Sequence, residues 1–246
     1  MSTEPPVSSI LTHPYWRVNV RPERYDADLI PSLAECYRLI EQTKVSLRGW
    51  DYPHLSHRDT QRGVGDNWVA SWSDFDGHKE YWRLYQSGQF LHLFSVREAT
   101  DSAWREKLEH QAKAHDIDHE GEIDWSKVPG FFSILNFIYT VTEVFEFSSR
   151  LCQKGLYTGA PIISIQLNGI KGFVLMTDLD RAWHGYYAAS QDLLEHSWQV
   201  RSDVLIADSA AQALNAIDWF FQRFNWLNPS KQILREDQRK FLTREV

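Results

Sequence analysis

Cysteine is scarce in this chain: Cys36 and Cys152 are the two among 246 residues. Two thiols so far apart make neither a disulfide framework nor a cysteine metal knot, and they read as buried free thiols of a reducing compartment. Long apolar runs are also missing. Stretches such as Phe173–Met176 and Val204–Ala207 last only a few residues, whereas a membrane-spanning helix needs about 20 mostly apolar ones. Positive charge is in deficit: 26 Lys and Arg face 33 Asp and Glu, for a net charge of −7. A broad nucleic-acid surface needs clustered Lys and Arg and is not expected. No Gly-rich phosphate loop, dinucleotide fingerprint, Gly-x-Ser-x-Gly elbow or cysteine cluster occurs. The first residues hold Pro5 and Pro6 and no basic stretch followed by an apolar one. Residues 1–13 therefore read as a flexible tail rather than a secretory signal, and a cytoplasmic protein is expected.

Aromatic residues are what the sequence has in quantity, with 11 Trp, 10 Tyr and 13 Phe. Most are expected in the core, with a few left as a stacking surface for a ligand or partner. Tyr15–Arg21 alternates large and polar residues and reads as a strand. Leu29–Gln42 has helical apolar spacing, with Asp28 as N-cap and Pro31 in the first turn. Lys44–Trp50 reads as a second strand, followed by a polar loop from His57 to Asp66. Asn67–Asp74, Glu80–Gln86 and Gln89–Val96 are aromatic-rich runs separated by Asp76-Gly77 and Ser87-Gly88, which predicts an antiparallel meander. Phe90, Phe94 and Val96 share a face with His92 in the last of them.

Residues 97–126 carry nine acidic residues against four basic ones. A solvated helix over Ser102–Ala114 and then an acidic loop are expected. Phe131–Leu151 is apolar almost all round and predicts a central buried helix. Ile162–Leu167 and Ile170–Met176 flank Asn168-Gly169, a strong hairpin signal. A strand near His196–Arg201 and helices over Ser209–Phe224 and from Asn228 through Phe241 complete the reading. The fold class is α+β, with antiparallel sheets and helices packed on one face, in two sub-halves around a central buried helix. The divisions are a tail at 1–13, an α+β half at 14–98, an acidic linker at 99–128 and a second α+β half at 129–246.

Three groups of residues bear on chemistry. The first is the run from Asp116 to Lys127, with Asp116, Asp118, Glu120, Glu122 and Asp124 at every second position. Counted from Asp116, it resembles an EF-hand calcium loop, with acids at positions 1, 3, 5 and 9 and Gly121 at position 6. The resemblance implies calcium or magnesium as ligand, but Lys127 stands where the bidentate Glu of position 12 belongs. The second group is Glu143, Glu146 and Arg150, one stripe on the predicted buried helix. Glu146 and Arg150 are four apart and can pair, which leaves Glu143 in need of a partner, a ligand or a proton.

The third group surrounds the meander: Arg48, Trp50, Asp51 and His54 in LRGWDYPH, Trp68, Trp72 and Asp74 in NWVASWSD, and Glu80, Trp82 and Arg83 in EYWR. Trp68 and Trp72 share a strand face, Trp82 is expected across from one of them, and arginine over indole gives cation–π contacts. Gly49 and Pro53 mark a loop, where binding residues concentrate. These features lead to a cytoplasmic binding or interaction protein, with a protein partner or small-molecule ligand. The first alternative is a hydrolase or nucleotide-processing enzyme using carboxylate and His groups. The second is a divalent-cation-responsive module in the 116–127 loop. Convergence of the polar groups into one cleft is what separates an enzyme from an interaction surface.

Overall fold

The computed structural model describes residues 4–55, 60–75, 77–117, 123–177 and 181–245. A seven-stranded antiparallel sheet dominates it. Strand β1 (Tyr15–Arg21) turns Trp16, Val18 and Val20 inward and its odd-numbered residues outward, as its alternation requires. β2 (Gln61–Val64), β3 (Trp68–Phe75), β4 (His78–Tyr85) and β5 (Phe90–Ser95) form the meander. β1 then lies between β5 and β7 (Ile162–Asn168), and β9 (Leu193–Gln199) closes the far edge. The order is β2-β3-β4-β5-β1-β7-β9. Segments 14–98 and 129–246 thus both supply strands to one sheet.

A short parallel pair, β6 (Phe131–Ser133) with β8 (Val174–Met176), stands apart from that sheet. The helices are α1 (Val7–Leu11), α2 (Leu33–Thr43), α3 (Arg97–Thr100), α4 (Ser102–Ala114), α5 (Ile134–Gln153), α6 (Ser202–Ala207), α7 (Ser209–Arg223) and α8 (Lys231–Leu242). α5 is the centre of the main core, packed with α7 and with the inward faces of the sheet. On the other face, α1 buries Ile10 with Ala70, Tyr81 and Leu93. Among the described residues no helix is long and apolar enough to cross a membrane.

The structure bears out the α+β class and corrects several local expectations. Val7–Leu11, read as part of a flexible tail, is helical with Ile10 fully buried. α2 starts at Leu33, because the Ser32 side chain accepts the Glu35 N–H while the Ile30 backbone is bonded to Gln86 on both its N–H and its carbonyl. Lys44–Trp50 is not a strand. Only Val45 pairs, with Tyr52, and Gly49 takes a left-handed φ of 87° to turn the chain between them.

Gln61–Val64, read as polar loop, is strand β2. The hairpin around Asn168-Gly169 does not form: both edges of β7 are occupied by β1 and β9, so the chain leaves the sheet and Val174–Met176 pairs with β6. α5 begins three residues later than expected because Ser133 caps it, accepting the Asn136 N–H. α4 spans the expected residues but buries Leu108 and Ala112 against Phe131, Val174 and Met176.

Candidate functional site

The core face of β4 carries His78, Glu80, Trp82 and Leu84 at alternate positions, and that of β5 carries Phe90, His92 and Phe94. This phase puts ionisable groups where apolar ones are the rule, beneath α5. The loop between α2 and β2 then lays Arg48, Trp50, Tyr52 and His54 over the same place. A cleft of about 610 Å³, counted to its open mouth, is lined by these residues with Asn136, Thr140 and Glu143 of α5 and with Arg97.

At its floor is a carboxylate surrounded by imidazoles. Glu80 Oε1 accepts the His54 backbone N–H at 2.9 Å. Glu80 Oε2 lies 2.7 Å from His54 Nδ1, 3.2 Å from His78 Nε2 and 3.5 Å from His92 Nε2. Glu80 and His92 are buried and His54 nearly so. Trp82 holds the loop in place by donating its Nε1–H to the His54 carbonyl at 3.1 Å. Burial opposes ionisation of Glu80, but the imidazoles outweigh it and keep the carboxyl well below its usual range. Burial likewise opposes charge on His54, yet Glu80 prevails and raises that imidazole. At His78 burial wins, and the imidazole is held below its usual value.

Arg48 forms the opposite wall. Its Nη2 lies 2.6 Å from Glu143 Oε2, and its Nε donates to both Glu143 oxygens at 3.1 Å. Nη2 also donates to Thr140 Oγ1 at 3.1 Å, and Nη1 donates to Asn136 Oδ1. Asn136 Nδ2 in turn donates to Glu98 at 2.8 Å. Burial pushes the Glu143 carboxyl up, and Arg48 offsets only part of that. Glu98 is also raised by burial, which Asn136 and the backbone offset in part.

Trp50 is 40 % exposed at the mouth, with Arg48 and Arg97 within 6 Å of its ring. The Tyr52 hydroxyl and both ring nitrogens of His92 have no hydrogen-bond partner among the described residues, and Arg97 Nε has none but stands 3.5 Å from Asp101 Oδ2 in an ion pair. Among the described residues, the donor atoms of His54, His78 and Glu80 lie within 4.8 Å of one another, close enough to hold a metal ion.

Residues singled out from sequence therefore meet here: Arg48, Trp50, Asp51, His54, Glu80 and Glu143. Within it, Asp51 accepts from Ser46 Oγ at 2.6 Å and Lys44 Nζ at 3.0 Å, which ties the loop together. The other candidates lie elsewhere. Trp68, Trp72 and Arg83 are on the opposite face of the sheet, with the Arg83 guanidinium 4.1 Å above the Trp68 ring. Trp82 is not across from either tryptophan: the register sets Ser71 opposite Trp82 and Tyr81 opposite Trp72.

Glu146 and Arg150 pair at 2.9 Å as expected, but they serve a packing junction. Glu146 accepts from Ser209, and Arg150 donates to the Lys44 carbonyl. In the acidic run, Asp118, Glu120 and Glu122 lie outside the described residues. Asp124 caps the turn Trp125–Lys127 and pairs with Lys127 at 2.9 Å, while the Asp116 backbone carbonyl faces His184 Nδ1 at 3.0 Å.

His78 and His92 complete the site and are not among the chemical groups the sequence points to. Their signal is the period-two phase of the meander, which puts both with Glu80 on the Trp82 and Phe94 face. No family model, curated protein or solved structure matches the chain, so its chemistry rests on the cleft's own residues.

Proposed function

We propose that the chain is an enzyme of hydrolase type that acts on a small anionic molecule in this cleft. One observation carries the reading: three imidazoles converge on a single buried carboxylate at the floor of an open cleft. A network built only for stability would satisfy its polar members, since buried unpaired groups are costly. Here His92 and the Tyr52 hydroxyl are buried without hydrogen-bond partners. Imidazole is the side chain whose ordinary proton exchange spans neutral pH, and imidazoles held on a carboxylate are suited to general acid–base catalysis. Arg48 is consumed by Glu143, whereas Arg97, whose Nε stands 3.5 Å from Asp101 Oδ2, lines the cleft beside Trp50 and suits an anionic group on the substrate. Trp50 offers a flat apolar wall beside it.

A partner-binding role for the aromatic residues has narrower support. Trp82 is fully buried and Trp68 lies under Arg83, which leaves Trp50 as the exposed indole of the group.

The test is a panel of phosphate and carboxylate esters and amides, assayed by kcat/KM. At least one class should be turned over, and Glu80→Gln should lower its kcat/KM by roughly 10²–10⁴-fold with the fold intact. Failure of the folded wild-type chain to bind or turn over any compound of the panel would overturn the proposal.

A further inference from the structure

We propose that His54, His78 and Glu80 form a site for one divalent transition-metal ion, with zinc the best match to the donors. This deepens the reading of the cleft as a reaction site and rests on it. Glu80 Oε2 faces nitrogen atoms of His54, His78 and His92 at 2.7, 3.2 and 3.5 Å. His54 and His78 are within hydrogen-bond distance of that oxygen, whereas His92 stands beside it with both ring nitrogens unbonded. A metal ion seated among His54, His78 and Glu80 takes one lone pair from each of them. Tetrahedral zinc with bonds of about 2.0–2.1 Å holds its donor atoms about 3.3 Å apart. Within the proposed set, His54 and His78 stand 2.7 and 3.2 Å from Glu80 Oε2, and all three donor atoms lie within 4.8 Å of one another, so small side-chain shifts bring them to that spacing.

The surroundings agree. Two imidazoles and a carboxylate are the donor set of a catalytic zinc site with one position left for water or substrate. Calcium and magnesium prefer a shell of oxygens. The charge is suited as well, because Arg48 is neutralised by Glu143, which leaves Glu80 as the negative group facing the imidazoles. His92 is almost fully buried beside the site with neither ring nitrogen hydrogen-bonded. His78 and Glu80 are fixed by the strand, and His54 is fixed by Trp82 and by its own N–H on Glu80. A bound ion supplies an activated water at neutral pH, the nucleophile that a hydrolase needs.

The full chain, stripped with a chelator and desalted, is titrated with Zn²⁺ by calorimetry and with Co²⁺ by visible absorption. One ion per chain should bind. Glu80→Gln and His78→Gln should each weaken binding roughly 100-fold or more, while Asp124→Asn, in the acidic run, should bind as the wild type does. X-ray absorption of the zinc-loaded wild-type protein needs no variant. It should read at least two imidazoles in a shell at about 2.0–2.2 Å.

Absence of stoichiometric binding would overturn the site, as would fewer than two imidazoles in the shell or unchanged affinity in both folded variants. Turnover without metal binding would remove the ion and leave the proton-transfer cluster. Metal binding without turnover of any panel compound would leave the ion and remove the hydrolase.

Discussion

Arg48 is the residue whose meaning changed most between sequence and structure. From the sequence it belongs to an exposed loop, yet its side chain is 14 % exposed and its partner Glu143 only 2 %. A buried pair of this kind costs several kcal/mol when one member is removed, because the other charge is stranded. Arg48→Met should therefore lower stability by about 3–5 kcal/mol, measured by urea unfolding. The double variant Arg48→Met, Glu143→Met should recover at least half of that loss. Additive losses would show that the two residues act separately.

Glu98 gives a second test at this scale. Its Oε2 is buried without a hydrogen-bond partner, and burial raises its carboxyl. The folded state then holds the proton more tightly than the unfolded one. Its contribution is fully present below the ordinary carboxylate value and is lost as pH rises through the raised one. The stability of Glu98→Gln relative to wild type should improve with pH across that window. A difference independent of pH would contradict the burial account.

At the scale of elements, caps and edges decide where the chain departs from its periodicity. Ser133 fixes the start of α5, the helix that carries Asn136, Thr140 and Glu143 into the cleft. Ser133→Ala should cost about 1 kcal/mol, seen as a lower urea midpoint with unchanged slope. A cost near zero would mean that packing alone sets this end.

The meander, β1, α4 and α7 were legible because each carries its own period and turns. β2 was not, since Gly63 and Gly65 read as loop. In the sheet Gly63 lies under Trp72, where an added Cβ would come within 2.9 Å of the indole, a fact of the neighbouring strand. The failed hairpin has a similar cause. Asn168-Gly169 is good local turn chemistry, but β1 and β9 compete for β7 and win. The site was legible in half. Arg48, Trp50, Asp51, His54, Glu80 and Glu143 stood out by type, whereas joining them to one another and to His78 and His92 required the register of β4 against β5 and the position of α5 above them.

For the whole molecule, the main consequence is that segments distant in sequence share one sheet and one core. β1 is hydrogen-bonded to β5 on one side and β7 on the other, and α5 packs with α2, α7 and α8. Neither side can unfold without exposing the other's apolar surface. Tryptophan fluorescence and far-ultraviolet circular dichroism should report one coincident unfolding transition. Two separated transitions would mean that the segments on either side of β1 are independent.

The cleft is itself a product of this shared architecture, since its walls come from the α2–β2 loop, the meander and α5. A second cavity lies between Trp183, Trp226 and α8, where Arg181 and Asp237 pair at 2.7 Å and leave no charge unmatched between them. A crystallographic fragment screen of the full chain sets the two against each other. Small anionic fragments should collect in the cleft between Trp50, Arg97 and the Glu80 cluster. Fragments found only beside Trp183 and Trp226, with the cleft filled by its own side chains, would contradict the account.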